Sequence, residues 1–254
     1  MINDDICIIK NTMKIISIIP ARYESKRFPG KLLETIGDES VIEKTYNSVL
    51  NTSLFEKVFV ATDSLSIKEK ILSIGGDVIF TKKNHICGSD RVAEASINLE
   101  ADIIVNVQAD EPFIDKKSLS DLIKIYKDDK KELIGMVSLM SPMKEPNMIN
   151  NPNIVKVVVD NNNFALYFSR AKIPFNRDED NRVNYFRHIG VYGFRRKSLI
   201  EFSNNGETPL EKSEKIECIR QLEMGRKIKM VKTNISSFSI DEFSDLLKAK
   251  KLLN

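Results

Sequence analysis

The segment from Ile15 to Lys31 constrains the fold more than any other part of this sequence. A short apolar run, rich in isoleucine, ends at Pro20 and is followed by a polar, turn-forming stretch. An apolar run bounded by a turn signal is typical of a buried strand in an α/β sheet. Ligands of such sheets bind beyond the carboxyl ends of the strands, so the polar stretch is expected to lie at a ligand site.

The polar stretch carries four basic residues, Arg22, Lys26, Arg27 and Lys31. Their charges would repel one another unless an anion shares the space, and Lys and Arg are the usual partners of phosphate groups. A polyphosphate site is therefore one interpretation, and an ordinary solvated loop is the other. The stretch is not a Walker A loop, because the pattern G-x-x-x-x-G-K-[ST] is absent.

After residue 14, apolar strands alternate with segments of helical periodicity. The pattern predicts strands at 15–19, 57–63, 78–80, 103–108 and 134–139, and helices at 41–54, 66–74, 89–99 and 118–126. This alternation predicts an α/β fold with a mainly parallel, doubly wound sheet that has helices on both faces.

The rhythm changes at about residue 141. A hairpin is predicted at 155–159 and 164–168, followed by a strand at 191–194, a helix at 211–224, a strand at 228–232 and a helix at 242–253. We interpret 1–12 as an N-terminal extension and 13–254 as a single domain. Within that domain, 141–208 would form a small, β-rich inserted lid or dimerisation region.

Composition narrows the functional classes. The 254 residues carry 39 cations against 36 anions, a formal charge of +3, which predicts no extended field for nucleic acid or membranes. No apolar run approaches the ~18 residues of a membrane span, and no export signal is evident. The three cysteines are too few and too widely spaced for a disulfide framework or a zinc site. We therefore expect a cytoplasmic protein that does not insert into membranes.

Two acidic residues are candidate metal ligands. Asp110 follows the strand predicted at 103–108, and a carboxylate there, near a polyphosphate loop, suits Mg²⁺, which completes its shell with phosphate oxygens and water. A solvated turn is the simpler interpretation of Asp110. Asp241 precedes the last helix, where capping is at least as good an explanation as metal binding.

The turn Gly88-Ser89-Asp90-Arg91 opens a predicted helix. Gly and Ser permit a ligand to approach backbone N–H groups closely, although ordinary capping by Ser89 or Asp90 is the simpler interpretation. The sequence has two histidines, which excludes an imidazole-rich metal cluster. His188 is better interpreted as a hydrogen-bonding sugar contact or a core-edge residue than as a general base.

Several motifs follow one another between about residues 13 and 246. They are Ile-Pro20-Ala-Arg22-x-x-Ser25-x-Arg27-x-Pro29-Gly30-Lys31, Val60-Ala-Thr62-Asp63, Gly88-Ser89-Asp90-Arg91, Asn106-Val-Gln108-x-Asp110-Glu111-Pro112, Ala165-Leu-Tyr-Phe168-Ser169-Arg170-Ala-x-Ile-Pro174, Arg187-His188-x-Gly190-x-Tyr192, Pro209-Leu-Glu211 and Glu217-x-x-Arg220-x-Leu-Glu223-x-Gly225. In combination they resemble the 3-deoxy-manno-octulosonate (Kdo) cytidylyltransferase family. The related CMP-sialate synthetases share only the first loop, and loosely.

The resemblance implies a nucleotide-diphospho-sugar transferase-like fold and the reaction CTP + Kdo → CMP-Kdo + diphosphate, with Mg²⁺ as cofactor. The anomeric hydroxyl of the sugar acid would attack the α-phosphorus in line, serving lipopolysaccharide or capsule synthesis. The resemblance also implies a homodimer, with Phe168 and Phe175 as candidate contacts. Simple core packing is the alternative for both.

The resemblance assigns roles to individual residues. Those implied to be catalytic are Arg22, Lys31, Asp110 and Asp241, the last two as Mg²⁺ ligands. Those implied to bind the nucleotide are Ala21, Arg22, Ser25, Arg27, Lys31, Gly88, Ser89, Arg91 and Gln108. Those implied to face the sugar acid are Arg170, Arg187, His188, Tyr192 and Glu217.

Three departures from the family pattern leave alternatives open. Ala109 replaces the usual Gly, and the alanine would be strained if the position required a positive φ. Cys218 replaces a usual Gln, which removes a polar group on the sugar side. The segment 240–245 keeps only two acids of the usual family pattern, Asp241 and Asp245. The same transfer onto 8-amino-Kdo or another nonulosonate remains an alternative, as does a non-catalytic nucleotide-binding relative.

Overall fold

The computed structural model describes residues 13–25, 27–178, 183–234 and 239–253. The strands are β1 (Ile15–Ala21), β2 (Thr35–Ile36), β3 (Glu39–Ser40), β4 (Lys57–Thr62), β5 (Asp77–Phe80), β6 (Ile103–Val107), β7 (Met136–Met143), β8 (Lys156–Val159), β9 (Ala165–Ser169), β10 (Tyr185–Arg195) and β11 (Ile228–Lys232). The helices are α1 (Val41–Leu50), α2 (Leu65–Ser73), α3 (Gly88–Ala95), α4 (Lys116–Asp128), α5 (Pro146–Asn150), α6 (Arg196–Asn205), α7 (Pro209–Glu214), α8 (Ile219–Glu223) and α9 (Phe243–Leu253).

One large sheet organises the described residues. Its strands run in the order β11-β7-β10-β6-β1-β4-β5, and β8 and β9 branch from β10. The strand pairs β1–β4, β1–β6, β4–β5 and β7–β11 are parallel, whereas β10 runs antiparallel to both β6 and β7. The prediction of an α/β fold with a mainly parallel sheet is confirmed.

The burial of β1 explains why its sequence is apolar at nearly every position. All seven of its residues are buried, because helices cover both faces of the sheet. One hydrophobic cluster packs α1, α2, α4 and α9 against one face, and the other packs α3, α6 and α8 against the opposite face. This sandwich fixes β1 rigidly and directs the loop that follows it toward the carboxyl edge of the sheet.

Several predicted element boundaries are wrong. The predicted helix 211–224 is broken into α7 and α8, because Lys215 adopts a left-handed conformation with φ 54° and the segment then dips into the core at Ile216 and Cys218. Helix α3 ends at Ala95, and its N-cap residue is Cys87, so neither Ser89 nor Asp90 caps it. The short strand predicted at 191–194 is the end of the longer β10.

The segment 141–208 contributes strands to the sheet, including a hairpin that branches from β10. The hairpin predicted in it is present as β8 and β9, which pair antiparallel. The same segment supplies β10, which lies at the centre of the sheet between β6 and β7. A lid or dimerisation role for the segment stays a prediction, and the N-terminal extension 1–12 lies outside the described residues. None of the described helices is long and apolar enough to span a membrane.

Candidate active site

A cleft of about 1010 Å³ opens at the carboxyl edge of the sheet. Its walls come from the loops after β1 and β6, from β10, and from the segments that precede α8 and α9. Of the residues assigned from sequence, ten line it: Arg22, Arg27, Gln108, Asp110, Arg170, Arg187, His188, Tyr192, Glu217 and Asp241. Residues that are far apart in the sequence thus converge on one cavity, at the position where such sheets bind ligands.

The ammonium group of Lys31 joins the two candidate metal ligands. Its Nζ donates to Asp110 Oδ2 at 2.6 Å, to the carbonyl oxygen of Ile240 at 2.8 Å and to Asp241 Oδ1 at 3.3 Å. The N–H of Ile240 in turn donates to the Asp110 carbonyl at 2.9 Å. Burial alone would lower the pKa of Lys31, but the charges of Asp110 and Asp241 outweigh it and raise that pKa. The ammonium group is therefore cationic at neutral pH.

The two carboxylates have a donor set that fits Mg²⁺. The side chains of Asp110 and Asp241 are 23% and 24% exposed, so a ligand can reach both. The described residues hold no group of three or more His, Cys, Asp or Glu side chains that could bind a metal ion. A metal here would need oxygen ligands from elsewhere, which is the usual manner of Mg²⁺ with nucleotide phosphates.

The loop after β1 is closed by its own backbone. Gly30 has a positive φ of 73°, and its N–H donates to the carbonyl oxygen of Tyr23 at 3.2 Å. Arg27 lies over the carboxylates, since its Nη2 donates to Asp241 Oδ1 at 2.7 Å. Arg22 is exposed and has no hydrogen-bond or ion-pair partner among the described residues. It is therefore available to an anion.

The other described residues assigned to this loop do not line the cleft. Ala21 is buried at the end of β1, and Ser25 is half-buried in the loop. Lys26 lies outside the described residues.

Gly88 and Gln108 are closely packed on the side where the nucleotide is expected. A Cβ atom on Gly88 would lie 2.8 Å from Gln108 Nε2 and 3.2 Å from Pro20 Cγ, so only glycine allows this approach. Arg91 points away, into a neighbouring cleft that also contains Arg22. Its Nη2 is 2.9 Å from Asp63 Oδ1. Burial lowers the pKa of Arg91, and Asp63 opposes the shift.

The side chain of Glu217 packs against the N-terminus of α3. Its carboxylate accepts hydrogen bonds from Ser89 N at 3.0 Å, from Ser89 Oγ at 3.2 Å and from Gln108 Nε2 at 3.2 Å. Burial raises the pKa of Glu217, and the bonds from Ser89 work in the opposite direction. Ser89 is fully buried, so it contacts Glu217 and does not itself line the cleft.

His188 is packed as a neutral ring. Its Nε2 lies 2.9 Å from Ser138 Oγ, and its ring is 5.1 Å from that of Phe168 and 5.4 Å from that of Tyr192. Burial lowers its pKa to about 3, so the imidazole carries no charge at neutral pH. It can offer a hydrogen bond to a ligand, but it does not supply a positive charge.

The two arginines of the sugar side both line the cleft. Arg170 is held by backbone carbonyls, with Nε donating to Glu214 O at 2.7 Å and Nη1 to Pro152 O at 3.0 Å. Arg187 lies on β10, where burial lowers its pKa while the charge of Glu111 opposes the shift. Two cations facing one cavity are suited to an acid that carries a carboxylate.

Glu111 and Asn153 are two of the cleft residues to which the sequence motifs assigned no role. Glu111 is buried, and burial, reinforced by Asp110 and opposed by Arg187, raises its pKa to about 7. The position of Glu111 directly after Asp110 is the sequence feature that could have indicated that it lines the cleft. Asn153 accepts a hydrogen bond from Arg27 Nη1 at 3.3 Å and donates to Glu242 Oε1 at 3.0 Å. No pattern in the sequence indicated this bridge.

The structure also answers the questions raised by two departures from the family pattern. Ala109 is absent from the residues with positive φ in the described chain, so alanine is not strained there. Cys218 is fully buried in the core and does not line the cleft. The thiol therefore does not replace the missing polar group with another contact inside the cavity.

Comparisons with known proteins agree on one family. The family model described as "Cytidylyltransferase" matches residues 16–228. The 3-deoxy-manno-octulosonate cytidylyltransferase of Christiangramia forsetii is 51% identical over 95% of this chain and 97% of its own. The chain belongs to the 3-deoxy-manno-octulosonate cytidylyltransferase family. The member from Flavobacterium johnsoniae is 48% identical over 95% of this chain and 99% of its own.

One solved structure supports membership of the Kdo cytidylyltransferase family, and a second shares the fold. A CMP:2-keto-3-deoxy-manno-octonic acid synthetase complexed with CTP superposes with a TM-score of 0.88 at 32% identity, covering 94% of this chain and 98% of the other. A 4-diphosphocytidyl-2C-methyl-D-erythritol synthase from Anaerococcus prevotii has a TM-score of 0.66 at 15% identity, over 95% of this chain and 98% of its own. The second likeness shows the shared fold alone.

Proposed function

We propose that this protein transfers CMP from CTP to Kdo, a 3-deoxy-ulosonic acid, and releases diphosphate. The observation that carries the proposal is the group of Asp110, Lys31 and Asp241 in the cleft. The same cleft is lined by the exposed Arg22 and by two further arginines, Arg170 and Arg187. The arrangement can hold an anionic nucleotide and an anionic acceptor next to each other, which is most of what phosphoryl-group transfer requires of a protein.

The chain's own residues position the two substrates. Arg22 and Lys31 bind the CTP phosphates, and Arg170 and Arg187 face the acceptor carboxylate. His188 offers a hydrogen bond to a sugar hydroxyl. Its ring is neutral, because burial lowers its pKa to about 3. The bond from the anomeric oxygen to the α-phosphorus forms as the bond to the β-phosphate oxygen breaks. The proton of the anomeric hydroxyl passes to solvent water, and diphosphate leaves.

Mg²⁺ is part of the proposal, with Asp110 and Asp241 as its ligands. When bound, the ion would neutralise phosphate charge and act as a Lewis acid. Arg27 and Lys31 contact Asp241 in this structure, so a bound Mg²⁺ would share that carboxylate with these cations. The exposure of both carboxylates supports this assignment.

We propose further that the protein is a homodimer and acts in the cytoplasm, in lipopolysaccharide or capsule synthesis. Phe175 supports the dimer, because its side chain is 84% exposed in the segment that follows β9. Phe168, the other candidate contact, is instead fully buried in the core. Cys87 and Cys218 are free thiols, which suits a reducing compartment.

Diphosphate release from CTP and Mg²⁺ tests the activity, with Kdo, 8-amino-Kdo and sialic acid offered separately. Release with Kdo supports the proposal. Release only with another acid would show the same cytidylyl transfer with a different acceptor. No release with any acid, in folded protein, would contradict enzymatic activity of this type.

The variant Asp110→Asn tests the metal role. We expect kcat to fall by about a hundredfold or more while CTP affinity changes much less, because the carboxylate would hold the Mg²⁺ ion that neutralises charge in the transition state. Asp121→Asn is the matched control, since Asp121 lies on α4 and pairs only with Lys117 within the described residues. An equal loss of affinity and turnover in Asp110→Asn would contradict the assignment.

A further inference from the structure

The carboxylate of Glu217 is bound by residues from two other elements. Ser89, in the first turn of α3, donates to it through both its backbone N–H and its hydroxyl group. Gln108, just after β6, donates through its side-chain amide at 3.2 Å. A carboxylate at the start of an eight-residue helix also gains from the helix dipole. Glu217 therefore has a defined orientation at the wall of the cleft.

A second layer lies behind Ser89. Asn106 Nδ2 donates to Ser89 Oγ at 3.0 Å, and Gln108 Nε2 lies 3.4 Å from Asn106 Oδ1. Asn106 and Ser89 are both 0% exposed, so neither can touch a ligand in the cleft while Glu217 is in place. The hydroxyl of Ser89 accepts from Asn106, which leaves its own proton directed at Glu217.

The backbone of Glu217 is also connected to α3, through Arg220. The N–H of Arg220 donates to the carbonyl oxygen of Glu217 at 3.1 Å. The guanidinium of Arg220 reaches Asp90, the residue after Ser89, with Nη1 2.7 Å from Asp90 Oδ1. Adjacent residues of α3 thus hold both the side chain and the backbone of the Glu217 segment.

We infer that Ser89 and Asn106 are positioning residues that orient Glu217 toward the acceptor, and that they are not nucleotide contacts. The inference rests on the proposed function, since it takes Glu217 as a group that binds a hydroxyl-bearing sugar acid. Without the hydroxyl of Ser89, the carboxylate keeps the Ser89 N–H and the Gln108 amide as donors, but Oε1 loses one of its two hydrogen bonds and the carboxylate can turn away from the cleft. Binding of the acceptor then weakens, whereas the CTP site is unchanged.

The first test is steady-state kinetics of Ser89→Ala with CTP and Kdo varied in turn. We expect the KM for Kdo to rise about tenfold, as for loss of one hydrogen bond to a charged group, with the KM for CTP within about twofold. Ser96→Ala is the matched control, because Ser96 is a fully buried serine next to the other end of α3 whose hydroxyl donates to Ala93 O. It should leave both constants unchanged.

A double-mutant cycle separates orientation of Glu217 from general damage to α3. In a Glu217→Ala background, Ser89→Ala should change the KM for Kdo by less than about twofold, because the carboxylate that it orients is absent. Asn106→Ala should raise the same constant selectively and by a smaller factor. If that variant does not fold, the cycle with Ser89 decides the question.

Each remaining outcome is distinct. A rise in the KM for CTP in Ser89→Ala, or an equal effect of Ser89→Ala with and without Glu217, would overturn the inference and favour direct nucleotide contact or a purely structural role. Wild-type protein that forms no diphosphate with any acceptor contradicts the proposed function itself. The same wild-type measurement therefore tells the two failures apart.

Discussion

Arg220 offers the sharpest test of how the candidate site is held together. Its guanidinium is 0% exposed and ion-paired with two carboxylates, Asp90 on α3 and Glu211 on α7, at 2.7 Å each. The same group lies 4.2 Å from the ring centre of Phe202. It therefore connects three elements, including the helix that carries Ser89, through contacts that water does not reach.

The variant Arg220→Met would leave both carboxylates buried and without their cation. Removal of one partner from a buried ion pair costs about 3–5 kcal/mol, because the remaining charge stays uncompensated. For a chain of this size, each kcal/mol lowers Tm by about 2–4 °C, so a decrease of roughly 6–20 °C is expected. Few single substitutions outside the central strands should have an effect as large.

Urea unfolding and thermal melts measure the effect, with Arg226→Met as the control. Arg226 also pairs with a glutamate, Glu201, but both side chains are more than one-third exposed. A pair of that kind contributes about 0–1 kcal/mol. Replacing Asp90 by Asn and Glu211 by Gln in the Arg220→Met background should recover part of the loss. A free energy of unfolding for Arg220→Met equal to that of the control would refute the reasoning.

Three further predictions follow from individual residues. The pKa of His188 is about 3 in the folded protein and near 6.5 when unfolded, so the unfolded state binds the extra proton between these values and stability decreases as pH falls below about 6.5. His188→Gln should remove roughly 3 kcal/mol of the stability difference between pH 7.5 and 4.5, and an unchanged pH dependence in urea titrations would contradict this. Gly88→Ala should lower kcat/KM by roughly tenfold to a hundredfold by displacing Gln108, whose amide lies 2.8 Å from the new Cβ position, and wild-type kinetics would show that the displacement is harmless. Ala109→Gly should lower the free energy of unfolding by about 0.5–1 kcal/mol without a gain in activity, because the position has no positive φ to relieve; a rise in stability would show hidden strain.

The local patterns of the sequence were sufficient for the architecture. The run 15–19 is apolar at almost every position because its strand is covered on both faces, and that pattern survives any detail of packing. Strand β11 and the pair β8 and β9 were predicted for the same reason, since hydrophobic periodicity and turn residues act over a few neighbours. The motifs also indicated which polar residues belong to one site.

Contacts between distant residues were decided only by the tertiary structure. The antiparallel insertion of β10 between β6 and β7 depends on strand pairing over many residues, which no local pattern specifies. The same holds for Lys31 between Asp110 and Asp241, and for Ser89 beneath Glu217. The sequence by itself determined the residue types, the α/β alternation and the family motifs. Which carboxylate meets which donor, and which serine is covered by another side chain, follows from packing in three dimensions, because burial and hydrogen-bond geometry exist only once the chain has folded.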